Sequence, residues 1–242
     1  MLYLIGLGLN DEKDIPLKAI EAMKSCNAVY CELYTNKWHG SLNRLEDMIG
    51  KEIHILKREK AETDFLVEVA KTKNTAFLVP GDPLTATTHI ELLIEAKKNG
   101  IAFQVIHASS IFTAIAETGL ILYKFGRSTT LVYPEGNYDP KSPYDTIKFN
   151  KKNELHSLVL LDIKEDKQMT VKEAVGLLLG HRTVKKDEKI IACCCLGGES
   201  LIKYDLPSNL KADKQLEATP AVLIVPSKLN FKEEETLKLL FT

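Results

Sequence analysis

The chain has 242 residues, 45% of them hydrophobic and 27% charged, enough apolar material for one large domain or two modest ones. A formal net charge of -1 excludes the global basic field of a nucleic-acid or anionic-membrane binder. The apolar run that opens the chain is too short to span a bilayer, and it lacks the basic segment and small-residue cleavage site of a signal peptide.

In chain order, "LYLIGLG" reads as a buried strand that ends at glycine. "DIPLKAIEAMKSC" follows as a helix, with Asp14 as its N-cap, Pro16 near the first turn, and Ile15, Ala19, Ile20 and Met23 on one face. Next come the strand "AVYCELY", a helix capped by Ser41 and carrying Leu42, Leu45 and Ile49, and the strand "EIHIL". "ETDFLVEVAKTK" is helical, "TAFLVPGDP" is a strand running into a turn, and "TATTHIELLIEAKKNG" is a helix closed by Gly100. "AFQVIHASS" is a strand ending in candidate caps, with the helix "IFTAIAETG" behind it. Strands alternating with helices predict a mostly parallel sheet covered on both faces. Ligands of such sheets bind beyond the carboxyl ends of the strands, here Gly6–Leu9, Glu32–Thr35, Pro80–Thr85 and His107–Ser110.

The pattern changes at about Phe112, which sets two α/β domains over 1–111 and 112–242. In the second, "TTLVY" and "SLVLLDI" are strands separated by the polar stretch "PEGNYDPKSPYDTIKFNKKNE". "TVKEAVGLLLGH" is helical, "KIIACCCLG", "SLIKYDL" and "AVLIVP" are strands, and "KEEETLKLLF" is a closing helix. This domain is expected to hold a mixed sheet.

The chemistry-bearing stretches are few. Gly6-Leu7-Gly8 after a strand, with Glu32 ending the next one, is part of a dinucleotide fingerprint. The third glycine position is Asp11, whose carboxylate would repel a pyrophosphate. Asp82, after the turn-forming Gly81, either caps a helix starting near Thr85 or meets a cationic or hydroxyl-bearing ligand. Ser109 and Ser110 are placed to cap the next helix, or to present its first N–H groups to a carboxylate. His89 and His107 are lone histidines, more often structural than chemical. The five cysteines, Cys26, Cys31 and Cys193 to Cys195, are an odd number and, with no secretion signal, suit a reducing cytoplasm. In a strand the last three point alternately to opposite faces and cannot converge on a metal. No zincin, Walker A or G-x-S-x-G motif is present, so no metal is expected.

Five ordered blocks, "MLYLIGLGLNDEKDI", "PGDPLTATTH", "VIHASSI", "LYKFG" and "LHSLVLLDIK", with "LIVPSKL" near the end, resemble the diphthine synthase family of the tetrapyrrole (corrin/porphyrin) methylases. The resemblance implies two α/β domains with S-adenosylmethionine in the cleft between them, a homodimer, and no metal. It implies methylation of the amino group on the modified histidine arm of translation elongation factor 2, a step of diphthamide biosynthesis. By motif match the donor contacts fall on Leu9, Asp82, Thr85, Ser110, Ile111, Leu161, Leu196 and Ala221; no catalytic residue is assigned. The chain departs from the family pattern at "CCCLGGES" and at Ala221, where histidine is common, and is short between Asp162 and Pro220. A methyltransferase of corrin precursors, a non-catalytic donor-binding module and a nicotinamide enzyme are the alternatives. A trimethylated product would be a quaternary ammonium, which the faces of Tyr133, Tyr138 or Phe125 would favour.

Overall fold

The apolar runs of the first half become β1 (Leu2–Gly6), β2 (Ala28–Cys31), β3 (Ile53–Ile55), β4 (Thr75–Val79) and β5 (Phe103–Ile106) in the computed structural model, which describes residues 1–136, 138–164 and 167–242. Between them lie α1 (Leu17–Ser25), α2 (Leu42–Ile49), α3 (Arg58–Ala61), α4 (Phe65–Ala70) and α5 (Ile90–Lys98). The chain divides into two units, Met1–Phe112 and Thr113–Thr242.

In the first unit all strand pairs are parallel and the order is β3-β2-β4-β1-β5. Alternate residues of the central strands feed opposite cores. Ile5, Ala76 and Leu78 pack with Met23 of α1 and Leu45 of α2. Leu4, Phe77 and Val79 pack with Leu66 of α4 and Leu93 of α5. Burial on both faces explains why these strands read as unbroken apolar runs. Each of the larger of these side chains contributes about 1.5–3 kcal/mol of transfer free energy. The path from β1 crosses β4 and leaves along the α1 face, whereas the path from β4 crosses β1 and leaves along the α5 face. The strand order therefore reverses between β4 and β1, which is where an open α/β sheet leaves a crevice at its carboxyl edge.

Two helix starts differ from expectation. Asp14 does not cap α1: Pro16 holds that position without a side-chain cap, and Asp14 accepts from the Asn10 N–H at 2.7 Å. The proline ring already fixes the backbone for the first turn. Helix α5 begins at Ile90, well after Thr85, so Asp82 does not cap it. Ser41 does cap α2, accepting from Arg44 N. Its segment is tied down by Glu12, which is buried and accepts from Ser41 N and Arg44 Nη1. The Arg44 guanidinium, first among its partners, holds the Glu12 carboxyl down at about 2.

The short helix α6 (Ile111–Ala114) crosses the division between the units. The second unit then holds β6 (Thr129–Leu131), α7 (Ser142–Lys152), β7 (Ser157–Leu161), α8 (Val171–Gly180), β8 (Ile190–Cys194), β9 (Leu201–Asp205), α9 (Pro207–Ala212), β10 (Ala221–Val225) and α10 (Phe231–Leu240). The sheet order is β6-β7-β10-β8-β9, parallel at β6/β7 and antiparallel elsewhere, so this sheet is mixed. Capping boxes start two of its helices, Thr170 with Glu173 for α8 and Asn230 with Glu233 for α10. The polar stretch between the first two strands holds α7, which periodicity had not marked as a helix.

Strand β8 is buried throughout, and Cys194 joins the core cluster of this unit. The strand stops at Cys194, and Cys195 turns away with φ 53°. Burial raises the thiols of Cys193 and Cys194, the latter to about 12, which leaves them protonated and poor as metal ligands. Among the described residues no group of three histidine, cysteine or acidic side chains is placed to hold a metal.

Candidate functional site

Parallel strands all end at one edge, so the turns after β1, β4 and β5 share it. Two glycines set how closely these turns approach. A Cβ on Gly6 would lie 2.6 Å from the Gly81 oxygen and 2.8 Å from Ala108 Cβ. Without it, the turns from β4 and β5 close over the end of β1. A Cβ on Gly8 would collide with Asp14 Cβ and lie 3.0 Å from Ser109 Oγ, and Gly8 has φ 78°. Gly6 and Gly8 therefore both make room for the chain's own turns.

Those turns are stitched together by backbone. Gly8 N donates to Gly81 O at 3.2 Å, Gly81 N to Gly8 O at 2.8 Å, and Leu7 N to Val79 O at 2.8 Å. Leu9 is buried, and its N–H donates to Ser109 Oγ at 3.2 Å. Ser110, also buried, accepts from Phe112 N at 3.2 Å, and Ile111 begins α6. That helix is a single turn, which weakens any helix-terminus attraction for a carboxylate.

Asp82 is buried at the first residue after Gly81. Its Oδ1 accepts from Leu84 N at 3.1 Å and from Thr85 Oγ1 at 3.2 Å. Its Oδ2 faces His107 Nδ1 at 2.7 Å. A carboxylate offers about four lone-pair sites, so one direction on Oδ2 is left for a ligand. The His107 side chain is 66% exposed, and it is not alone, since Asp82 holds its ring. His89 does behave structurally: it is buried, its Nδ1–H donates to Pro83 O at 3.3 Å, and its ring meets Phe77 edge-on. Burial pushes its pKa down.

A test of whether a ligand fits this edge comes from Gly81. It is buried with φ 71°, yet a Cβ built on it meets nothing within 4 Å. Space therefore lies open beside the residue that joins the Gly8 bridge to Asp82. Half-buried Thr85 and the remaining lone pair of Asp82 supply polar groups that suit ribose hydroxyls or an amino group.

Glu32, another acidic group at the carboxyl edge, is fully buried. It accepts from Tyr34 N at 2.9 Å, from Thr35 N at 3.0 Å and from the Thr35 hydroxyl. Burial raises its pKa against those hydrogen bonds. Its lone pairs serve the loop rather than a nicotinamide ribose.

In the second unit, Leu161 ends β7, Ala221 opens β10 opposite Cys194, and Leu196 follows β8. Antiparallel pairing brings these three to one end of that sheet. Leu161 and Leu196 are buried and Ala221 half-buried. Tyr133 does not present an idle ring: Lys167 Nζ lies 3.9 Å from its centroid, Lys164 Nζ 5.5 Å, and its hydroxyl donates to Glu173. Phe125 meets His156 edge-on, and Tyr138 is exposed.

Sheet order, glycine turns and a second mixed sheet define an α/β methylase of the tetrapyrrole type, and the family model Tetrapyrrole (Corrin/Porphyrin) Methylases matches residues 1–200. Diphthine synthase of Methanococcus maripaludis (strain C6) is 41% identical over 263 aligned positions that cover 100% of this chain and 99% of the relative. A crystal structure of a candidate diphthine synthase from Entamoeba histolytica superposes with a TM-score of 0.92 at 35% identity, covering 100% of this chain and 98% of that one. A second crystal structure, of diphthine synthase, gives 0.92 at 36% identity over 99% and 95% of the two chains. The chain belongs to the tetrapyrrole methylase family and, within it, to the diphthine synthases, which are methyltransferases.

Proposed function

We propose that the chain transfers methyl groups from S-adenosylmethionine to the amino group of the modified histidine arm on translation elongation factor 2. The observation that carries the reading is the full-length likeness to diphthine synthases, 41% identity over the whole chain with matching architecture. The edge of the first sheet supports it. Leu9, Asp82, Thr85, Ser110 and Ile111 are scattered along the sequence, yet they follow the three neighbouring strands β1, β4 and β5. Open space beside Gly81 adjoins them. In the second unit, the proposed donor contacts are Leu161, Leu196 and Ala221.

The donor, when bound, supplies a methyl group already activated on a sulfonium. The chain's part is alignment and exclusion of water. Asp82 would accept from the donor's hydroxyl or amino groups through its remaining lone pair. Buried Leu9 and Ser110 would keep water from the same edge. No helix among the described residues is long and apolar enough to cross a membrane. Action in the cytoplasm as a homodimer belongs to the same proposal.

The experiment is incubation of the chain with S-adenosylmethionine and elongation factor 2 bearing the unmethylated arm, read by peptide mass. Successive methyl additions on the arm are expected. Donor binding with no added mass would favour a binding module. Methylation of a corrin precursor in place of the arm would move the substrate class.

A further inference from the structure

We propose that His107 is the base that removes a proton from the acceptor ammonium before each methyl transfer, and that Asp82 is its positioning residue. The inference rests on the methyl-transfer reading and adds the group that reading left open.

An ammonium has no lone pair with which to attack a methyl carbon. It must lose a proton first, and the proton needs an acceptor at the reacting edge. Asp82 Oδ2 lies 2.7 Å from His107 Nδ1, so the hydrogen on the ring sits at Nδ1 and is donated to the carboxylate. That leaves the lone pair on Nε2, which has no hydrogen-bond partner among the described residues. The side chain is 66% exposed, so Nε2 is open to an incoming amine. The carboxylate is itself fixed by Leu84 N and the Thr85 hydroxyl. When Nε2 gains a proton, the buried carboxylate faces the imidazolium and stabilises it, the logic of carboxylate–histidine dyads in general. Other acidic groups of the edge are spent elsewhere: Asp11 accepts from Lys13 N, Asp14 from Asn10 N, and Glu32 from its own loop. His89 turns its Nδ1 to Pro83 O. Asp82 is the charged group set against the His107 ring.

The step balances. One N–H bond of the ammonium breaks, its proton moves to Nε2, and its electron pair becomes the amine lone pair. That pair forms the new N–C bond while the C–S bond breaks and leaves its pair on sulfur. The imidazolium then gives its proton to water through its exposed side, ready for the next N–H.

The test uses the full chain, S-adenosylmethionine at saturation and elongation factor 2 with the unmethylated arm, in single-turnover rates across pH. His107→Ala and His107→Gln are compared with the unsubstituted chain, and S-adenosylhomocysteine affinity is measured by calorimetry; the glutamine variant keeps a donor toward Asp82 without a base. Both variants are expected to be about 10²- to 10⁴-fold slower near neutral pH. The deficit should shrink as rising pH supplies free amine, and added imidazole should restore part of the rate in His107→Ala. Donor affinity should stay within about threefold. At saturating donor, Asp82→Asn in the otherwise unsubstituted chain should slow transfer near neutral pH and recover as pH rises, because an amide no longer holds the ring in place. Rates equal to the unsubstituted chain at every pH would overturn the proposal. So would a uniform loss with no pH recovery and no imidazole rescue, which marks a structural ring. If the unsubstituted chain transfers no methyl at any pH, the reading beneath fails, and this proposal with it.

Discussion

Two acid–histidine pairs, one taken from each unit, are opposite in kind. In the first unit Asp82 holds one nitrogen of an exposed His107 and leaves the other open. In the second unit His156 and Glu233 are both buried. The Ser227 N–H donates to His156 Nδ1 at 2.9 Å, which forces the ring hydrogen to Nε2, and Nε2 donates to Glu233 Oε1 at 3.1 Å. Glu233 also accepts from Lys124 Nζ at 2.5 Å, Ile121 N at 3.0 Å and Asn230 N at 2.9 Å. Every ring nitrogen there is spent on the fold. A carboxylate and a histidine thus hold a loop and a helix start together in one place, and leave a basic nitrogen facing solvent in the other. Burial and free valence decide the difference.

The largest effect that could break this contrast is expected at Glu233. Glu233→Ala leaves Lys124, His156 and two backbone N–H groups without their acceptor in a buried place, a loss of about 3–5 kcal/mol. Urea unfolding followed by circular dichroism measures it. A loss below about 1 kcal/mol would mean that the second pair is no more structural than the first.

Next in size is Gly6→Ala, which attacks the first pair through its support. The new Cβ would meet Gly81 O and Ala108 Cβ and force the turns from β4 and β5 apart. A cost on the order of 2–3 kcal/mol follows from crowding of this kind. Separation of Asp82 from His107 should also slow methyl transfer. If the variant folds with full activity, the glycine is not what lets the pair meet.

The third effect is a pH dependence that separates the pairs. Burial lowers the His156 pKa, with Glu233 pulling the other way. The unfolded chain titrates this residue near about 6.5. Below that pH the unfolded state binds a proton that the folded state does not, so stability falls as pH falls through this window toward the depressed folded pKa. The slope from one such group is at most about 1.4 kcal/mol per pH unit. Glu233 adds a second acid window. Burial alone would raise it, but Lys124 and its other donors hold it at about 2. Its contribution is present above about 4.5 and disappears as pH falls toward 2. Denaturation midpoints between pH 7 and 5 should flatten in His156→Gln relative to the unsubstituted chain. An unchanged slope would remove His156 as its source.

The sequence made the strands and most helices legible because their periodicity reports burial on one or both faces. Where it failed, a particular residue hid the signal. Helix α7 buries Pro143, Tyr144 and Ile147, but the next position on that face is Asn150. This polar residue is buried because its amide donates to Arg127 O and Ser157 Oγ and accepts from Arg127 N, so the apolar stripe looks broken. At the candidate site, "VPGDP" and "VIHASS" each marked a strand end, but nothing local joined Asp82 to His107. Their meeting depends on β1 lying between β4 and β5 and on Gly6 having no side chain, two facts of topology and packing. The glycines themselves were visible; that they serve the chain's own turns was not, because the colliding atoms come from Asp14, Gly81 and Ala108.

The smallest expected effect is the sharpest. Removing the His107 ring strips one hydrogen bond from Asp82 and exposes nothing apolar, since the ring is mostly in solvent already. Asp82 keeps Leu84 N and the Thr85 hydroxyl, and water replaces the ring at Oδ2. His107→Ala should therefore change unfolding free energy by no more than about 0.5 kcal/mol. His156→Ala, by contrast, deletes a buried ring and strands the Ser227 N–H, which costs about 2–4 kcal/mol. Thermal and urea midpoints of the two variants, measured side by side, give the ratio. A His107→Ala loss as large as that of His156→Ala would show both histidines to be structural, and the open Nε2 would need another explanation than chemistry.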